Sequence, residues 1–156
     1  MPTRARSTSY AALLRGINLG SHKRVRMADL RKLAEDLGCA DVRTYVQSGN
    51  VVFRSDRSAA DLTKAIEKGI EKQLGLDVIV VIRTERQLRN LVANNPFVRA
   101  KIRPNTLYVA FLAEKPDPKR LRQLGDRDFV PERWEMVAGD ISLEIRKAAT
   151  AAFCLR

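Results

Sequence analysis

The residues best placed for binding chemistry lie in one loop, between the first predicted strand and the first predicted helix. Positions 15–26 carry four Lys or Arg side chains, two glycines and no acidic residue. Glycine lets a backbone approach a ligand closely, and free N–H groups at the start of a helix attract anions. We therefore predict a site for phosphate or nucleic acid. Its candidate residues are Arg15, Gly16, Asn18, Gly20, Lys23, Arg24, Arg26 and Arg43.

A structural explanation of the same loop stays open. Its glycines can serve turn geometry alone, and its basic side chains can simply be solvated. The spacing is not that of a Walker phosphate loop, because Ser21 stands where the second glycine of that motif belongs.

A second polar segment comprises Gln47, Ser48, Gly49 and Asn50, between two β-rich runs. Its amide and hydroxyl groups can hydrogen-bond a ligand, whereas Gly and Asn also suit a tight turn because they tolerate positive φ. The sequence does not tell whether this turn lies near the basic loop.

Nucleophilic or metal chemistry has little support. His22 is the sole histidine and has no companion ligand or positioned partner. Cys39 and Cys154 lie far apart and suggest free thiols in the reducing cytoplasm. We expect no catalytic residue, no cofactor and no metal, and a binding protein rather than an enzyme.

Tyr45 and Phe53 resemble the aromatic pair of sheets that stack RNA bases, but the consensus sequence of that module is absent. Phe53 is expected in the core, and Tyr45 can face either side of its strand.

A second basic zone is either part of a polyanion footprint or a solvated connecting helix. It comprises Arg83, Arg86, Arg89, Arg99, Lys101 and Arg103.

The overall charge favours an anionic partner without proving one. The chain has 156 residues, a net charge of +11 and a pI near 10.3. Such charge is typical of polyanion binding, but it also arises from solvated arginines on ordinary surfaces. No apolar run approaches the length of a membrane span. The Arg- and Ser-rich start has the composition of a transit peptide, but it runs at once into a strand-like segment, so a short disordered leader is expected.

Hydrophobic periodicity predicts alternating strands and helices. Ser58 is placed to cap the second helix, Gly75 to end it, and Thr84 to cap a connecting helix. Strands are predicted at 10–15, 42–46, 51–53, 78–82, 106–113, 133–137 and 141–145, and helices at 27–38, 59–74, 85–93 and 117–124.

The element order βαββαβ is that of a split βαβ, or ferredoxin-like, unit. We predict an α+β protein with two such units in tandem, the second truncated to βαββ. The first unit spans 9–83, a connecting helix and loop span 84–104, and the incomplete unit spans 105–156. One compact domain overall is the alternative.

The runs 15–20 (RGINLG) and 42–53 (VRTYVQSGNVVF), with Asn95-Pro96-Phe97, resemble the uncharacterised bacterial family called domain of unknown function 1697. The resemblance implies a duplicated ferredoxin-like fold and no assigned activity. Similar members continue past Ile145 with a further helix and strand, which residues 146–156 do not supply. We expect the strand at 106–113 to have an open edge that pairs in a homo-oligomer or is covered by the tail.

Three functions remain in competition. The first is a basic module for nucleic acid or a phosphate-bearing ligand. The second is a small-molecule-binding protein or enzyme that uses Asn18 and the turn at 47–50, in a pocket with Arg43 and Ser48. The third is a truncated copy without retained activity.

Overall fold

Two antiparallel sheets organise this chain, which confirms the predicted α+β class. The computed structural model describes residues 7–19, 23–45, 49–125, 127 and 129–146. The chain divides into two units, Met1–Leu88 and Arg89–Arg156, and each contains one of the sheets.

The first sheet has four strands in the order β2-β3-β1-β4, and every neighbouring pair is antiparallel. Two helices alternate with these strands along the chain. The elements are β1 (Thr8–Leu14), α1 (Met27–Asp36), β2 (Ala40–Tyr45), β3 (Asn50–Ser55), α2 (Ala59–Leu74) and β4 (Val80–Thr84).

The core of the first unit lies between α1, α2 and one face of this sheet. The apolar stripe of α2 at Leu62, Ile66 and Ile70 is fully buried, as helical spacing requires. Phe53 is only 2% exposed, so its expected place in the core is confirmed. The same core contains alternate residues of β1, β3 and β4. The residues between them lie on the opposite face of the sheet.

Local signals fix both ends of α2. The Ser58 hydroxyl accepts a hydrogen bond from the Asp61 N–H at 3.1 Å, which confirms the predicted cap. Gly75 ends the helix with φ +65°, a conformation that glycine adopts without strain. The following strand was predicted at 78–82 but begins at Val80. The strand starts later than predicted because its partner strand β1 ends at Leu14, which lies directly opposite Val80.

The second sheet has three strands in the order β5-β7-β6, again antiparallel. This order matches β1-β3-β2 of the first sheet. Helix α3 crosses the division between the units and begins with the predicted Thr84 cap, which pairs reciprocally with Gln87. The elements are α3 (Glu85–Asn94), α4 (Pro96–Arg99), β5 (Leu107–Ala110), α5 (Pro118–Gly125), β6 (Arg133–Val137) and β7 (Asp140–Glu144).

Two features of the second unit differ from the prediction. The strand predicted at 106–113 spans only Leu107–Ala110, and the Leu112 N–H donates to the buried carboxylate of Asp140 at 2.9 Å instead of continuing the ladder. The short helix α4 was not predicted; Asn95 caps it by accepting from the Phe97 N–H at 2.9 Å. The expectation for the tail concerns residues 147–156, which lie outside the described residues.

None of the helices in the described part of the chain combines the length and apolar character needed to cross a membrane.

Candidate functional site

Three chain segments meet at one end of the first sheet. The Leu14 N–H donates to the Gly49 carbonyl at 3.2 Å, which joins the end of β1 to the turn before β3. The Arg15 N–H donates to the Ile79 carbonyl at 2.9 Å, which joins the same point to the connector before β4. The basic loop after β1 therefore starts from a backbone that is held on both sides.

Close packing brings the β2–β3 turn against this basic loop. Gly49 has φ +76°, and a Cβ atom added there would lie 2.4 Å from Cδ1 of Ile17. Only glycine satisfies both the backbone conformation and this approach. The structure thus places Gly49 and Asn50 of the predicted polar turn beside the predicted anion loop; Gln47 and Ser48 lie outside the described residues.

Asn18 closes the basic loop on itself. Its Oδ1 accepts from the Val25 N–H at 2.9 Å, and its Nδ2 donates to the Val25 carbonyl at 3.0 Å. Its own N–H donates to the Lys23 carbonyl at 3.0 Å. Its φ of 56° suits asparagine, which tolerates the left-handed region. Asn18 was predicted as a ligand-binding residue, but both ends of its carboxamide hold the loop.

The cations of the loop have different surroundings. Arg15, Lys23 and Arg24 are exposed. The Lys23 ammonium donates to the Asp77 carbonyl at 2.6 Å and so ties the loop to the connector before β4. Arg26 makes a bidentate pair with Asp29, at 2.8 Å from Nε and 2.9 Å from Nη2. The hydrogen bond from Arg26 lowers the pKa of Asp29, so this carboxylate remains a charged competitor for Arg26.

The other predicted anion-binding residues are placed as follows. Gly16 is exposed with φ +68°, and a Cβ atom added there would have no neighbour within 4 Å, so this glycine serves the turn that leaves β1. Gly20 lies outside the described residues. Arg43 does not belong to the loop, because it lies on β2 opposite Val52 of β3 and is exposed on the sheet face away from the core.

The cations of the second basic zone differ in their surroundings. Arg86 and Arg89 are both exposed on α3. Arg99 folds back on the end of that helix, because its Nε donates to the Ala93 carbonyl at 3.0 Å. This contact favours a structural role for Arg99 over a ligand contact.

A groove of about 410 Å³ runs between α2 and the connector before β4. Its charged lining includes Lys64 and Lys68, but also Glu67, Glu71 and Asp77. Glu67 accepts from the Val80 N–H at 2.9 Å and so fastens the strand to the helix. With three carboxylates against two ammonium groups, this groove does not extend the basic surface.

Thiol and metal chemistry are weakly supported in the part of the chain that the structure describes. Cys39 is buried, and burial raises the pKa of its thiol, so the nucleophilic thiolate is disfavoured. The described residues include no cluster of three His, Cys, Asp or Glu side chains that could hold a metal ion. The sole histidine, His22, lies outside the described residues.

Sequence reasoning missed Arg54 as a candidate functional residue and left the direction of Tyr45 open. Both are exposed on the same sheet face as Arg43. Alternation along the two strands was the available signal, since Arg43 and Tyr45 are two apart, as are Val52 and Arg54. The sequence alone does not show that these residues share one face of the sheet, because that depends on the register between β2 and β3.

Fold and site together define a small two-unit α+β protein with a clamped basic loop at one end of its first sheet. The family model described as "Protein of unknown function (DUF1697)" matches residues 7–141, and the chain belongs to this family. The resemblance inferred from the sequence is therefore confirmed.

A solved structure provides a comparison of the fold. It is that of the conserved bacterial protein SP0830 from Streptococcus pneumoniae, with a TM-score of 0.77 and 24% sequence identity. The match covers 89% of this chain and 77% of the other. At this identity the likeness supports the fold alone. A comparison with curated proteins found no match.

Proposed function

We propose that this protein binds the phosphate groups of a nucleic acid through the basic loop after β1. The observation that carries the proposal is the fixed backbone beneath the exposed cations. Asn18 clamps Val25, and Lys23 is tied to the connector before β4. Loop segments that are already held in place, here around Asn18 and at 23–25, lose less conformational entropy when a ligand arrives, so their charges act more effectively.

Arg24 is the best single contact for phosphate in this proposal. It is exposed and stands next to Lys23 in the clamped loop, whereas Arg26 is partly neutralised by Asp29. Arg15 is exposed at the start of the same loop. The net charge of +11 adds long-range attraction for a polyanion. The buried free thiol of Cys39 fits a reducing cytoplasm, in which nucleic acids are present.

We also infer that the first unit is ferredoxin-like, and that the described part of the second repeats three of its strands. The order β2-β3-β1-β4 with antiparallel neighbours supports the first part. The order β5-β7-β6 of the second sheet, which matches β1-β3-β2 of the first, supports the second part. The small-molecule alternative has less support, because the Asn18 carboxamide that it requires is engaged by Val25.

The test is binding of labelled single- and double-stranded RNA and DNA across a salt series, with wild type and Arg24→Ala. Loss of one phosphate contact should reduce the slope of log K against log salt by about 0.7–0.9. Arg120→Ala, which removes an exposed arginine from α5, is the control for net charge. Equal slopes for the two variants would contradict the role of the loop.

A further inference from the structure

The face of the first sheet opposite α1 and α2 carries exposed groups suited to unpaired bases. Tyr45 at the end of β2 is 72% exposed, which is unusual for a large aromatic side chain of a sheet. Val52, diagonal to it on β3, is 44% exposed. Arg43 and Arg54 are exposed on the same face.

The register of the hairpin sets the arrangement of these groups. Tyr45 lies opposite Asn50, and Arg43 lies opposite Val52. Residues two apart on one strand lie roughly 6.7 Å from each other, so a guanidinium at Arg43 can reach a phosphate next to a base on Tyr45. Arg54 lies two residues beyond Val52 and has one long contact of 3.5 Å with Asp41.

The exposed part of this face is its β2–β3 half. Ala11 on β1 and Val81 on β4 share the face but are each only 7% exposed. The accessible area is therefore a strip that starts at Tyr45 and passes Arg43 and Val52 towards Arg54. It starts at the end of the sheet where Gly49 packs against the basic loop.

We propose that this strip, Arg43–Tyr45–Val52–Arg54, binds single-stranded RNA, with a base stacked on the Tyr45 ring and phosphates held by the two arginines. The inference rests on the proposed function and specifies its ligand class. Charge complementarity selects a polyanion, and the exposed ring selects one whose bases are unpaired. A four-stranded antiparallel sheet that offers an aromatic ring to bases is a mode of RNA recognition rather than of duplex binding.

The test measures anisotropy of a labelled single-stranded RNA of about ten nucleotides, the corresponding RNA duplex and single-stranded DNA. The variants are Tyr45→Ala, Tyr45→Phe and, as a matched control, Tyr108→Ala. Tyr108 lies on β5 of the second unit and is 43% exposed, so its removal also deletes an accessible strand tyrosine. Circular dichroism and thermal melting establish that each variant is folded.

The expected result is weaker binding of single-stranded RNA by Tyr45→Ala, by about 5- to 150-fold, at an unchanged salt slope. Tyr45→Phe keeps the stacking face and should bind as wild type, as should Tyr108→Ala. Duplex RNA should bind more weakly than the single strand and should not respond to Tyr45→Ala.

Three results would overturn the proposal. They are equal affinities of Tyr45→Ala and Tyr108→Ala, a duplex bound as tightly as the single strand, and tighter binding of DNA than of RNA. If Arg24→Ala still lowers the salt slope in any of these cases, the loop function stands and only the sheet strip is lost. Absence of binding to every nucleic acid would remove both.

Discussion

Gly49 packs directly against Ile17, so the β2–β3 turn and the basic loop form one structure at the end of the first sheet. A Cβ atom at position 49 would lie 2.4 Å from Cδ1 and 2.7 Å from Cγ1 of Ile17. Ile17 is itself buried, with 5% of its surface exposed. The contact therefore has little room to relax.

Gly49→Ala should destabilise the protein by about 2–4 kcal/mol, since both the positive φ and the crowding act against alanine. The measurement is urea unfolding followed by circular dichroism. Gly16→Ala is the control, because Gly16 also has positive φ (+68°) but no neighbouring atom within 4 Å. Equal losses for the two variants would show that packing against Ile17 contributes nothing.

Asn18→Ala should cost about 1–3 kcal/mol, because it leaves the N–H and carbonyl of Val25 without their side-chain partner. Val25 is only 1% exposed, so water does not readily replace these bonds. The variant should also bind nucleic acid more weakly when fully folded at low temperature, because the loop is no longer ordered beforehand. Wild-type stability together with wild-type affinity would exclude the clamp.

Asp29→Asn should strengthen nucleic-acid binding. The change removes one negative charge and the bidentate partner of Arg26, which then becomes available for phosphate. The salt slope should steepen by about 0.7–0.9, the increment of one additional contact. Asp36→Asn is the matched control, because Asp36 pairs with Lys32 further along α1. An equal response of both variants would mean that net charge alone is being measured.

Glu144 should make the stability of the second unit depend on pH. Hydrogen bonds from Arg146 and then from Arg133 lower the pKa of its carboxyl group, although burial acts in the opposite direction. A carboxyl whose pKa is lower in the folded state stabilises above its unfolded pKa, about 4.3, and less as the pH falls through the folded value. Wild type should therefore lose its stability advantage over Glu144→Gln below about pH 4. A constant difference from pH 7 to pH 3, measured by thermal unfolding, would contradict this role.

We propose that β5, whose only strand neighbour within the described residues is β7, pairs with a second copy of the chain. The Ile145 N–H donates to the Thr106 carbonyl at 2.8 Å, and Leu107 pairs with Glu144 in the adjacent position. Antiparallel pairs alternate between bonded and non-bonded, so the N–H and carbonyl of Val109 point away from β7.

Val109→Pro should therefore convert a dimer to a monomer in light scattering and leave the β5–β7 hydrogen bonds in place, because the N–H that it removes points away from β7. Val109→Thr keeps that N–H and should leave the dimer intact. A monomeric wild type, or a dimeric Val109→Pro, would contradict pairing through this edge.

Local sequence signals predicted α2 within its observed bounds, because the cap at Ser58, the apolar stripe and Gly75 all act over short distances. The Asn18–Val25 clamp was not predictable, since it joins residues seven apart within an irregular loop. The short helix α4 was missed because Asn95-Pro96 is equally typical of a turn.

The meeting of the two candidate sites depends on topology rather than on local sequence. Because β3 runs antiparallel to β1 and next to it, the start of β3 must lie beside the end of β1. This follows from the split βαβ order once that order is applied to the strands. The i, i+3 spacing of Arg26 and Asp29 also predicts that they pair, but only once the start of α1 is known.

The most direct test of the central claim is the salt dependence of nucleic-acid binding by wild type, Arg24→Ala and Arg120→Ala. Binding that persists near 150 mM salt, with a slope reduced by about 0.7–0.9 only in Arg24→Ala, is the predicted result. Binding that disappears near 150 mM salt, or equal slopes for the two variants, would mean that the basic loop contributes only general surface charge.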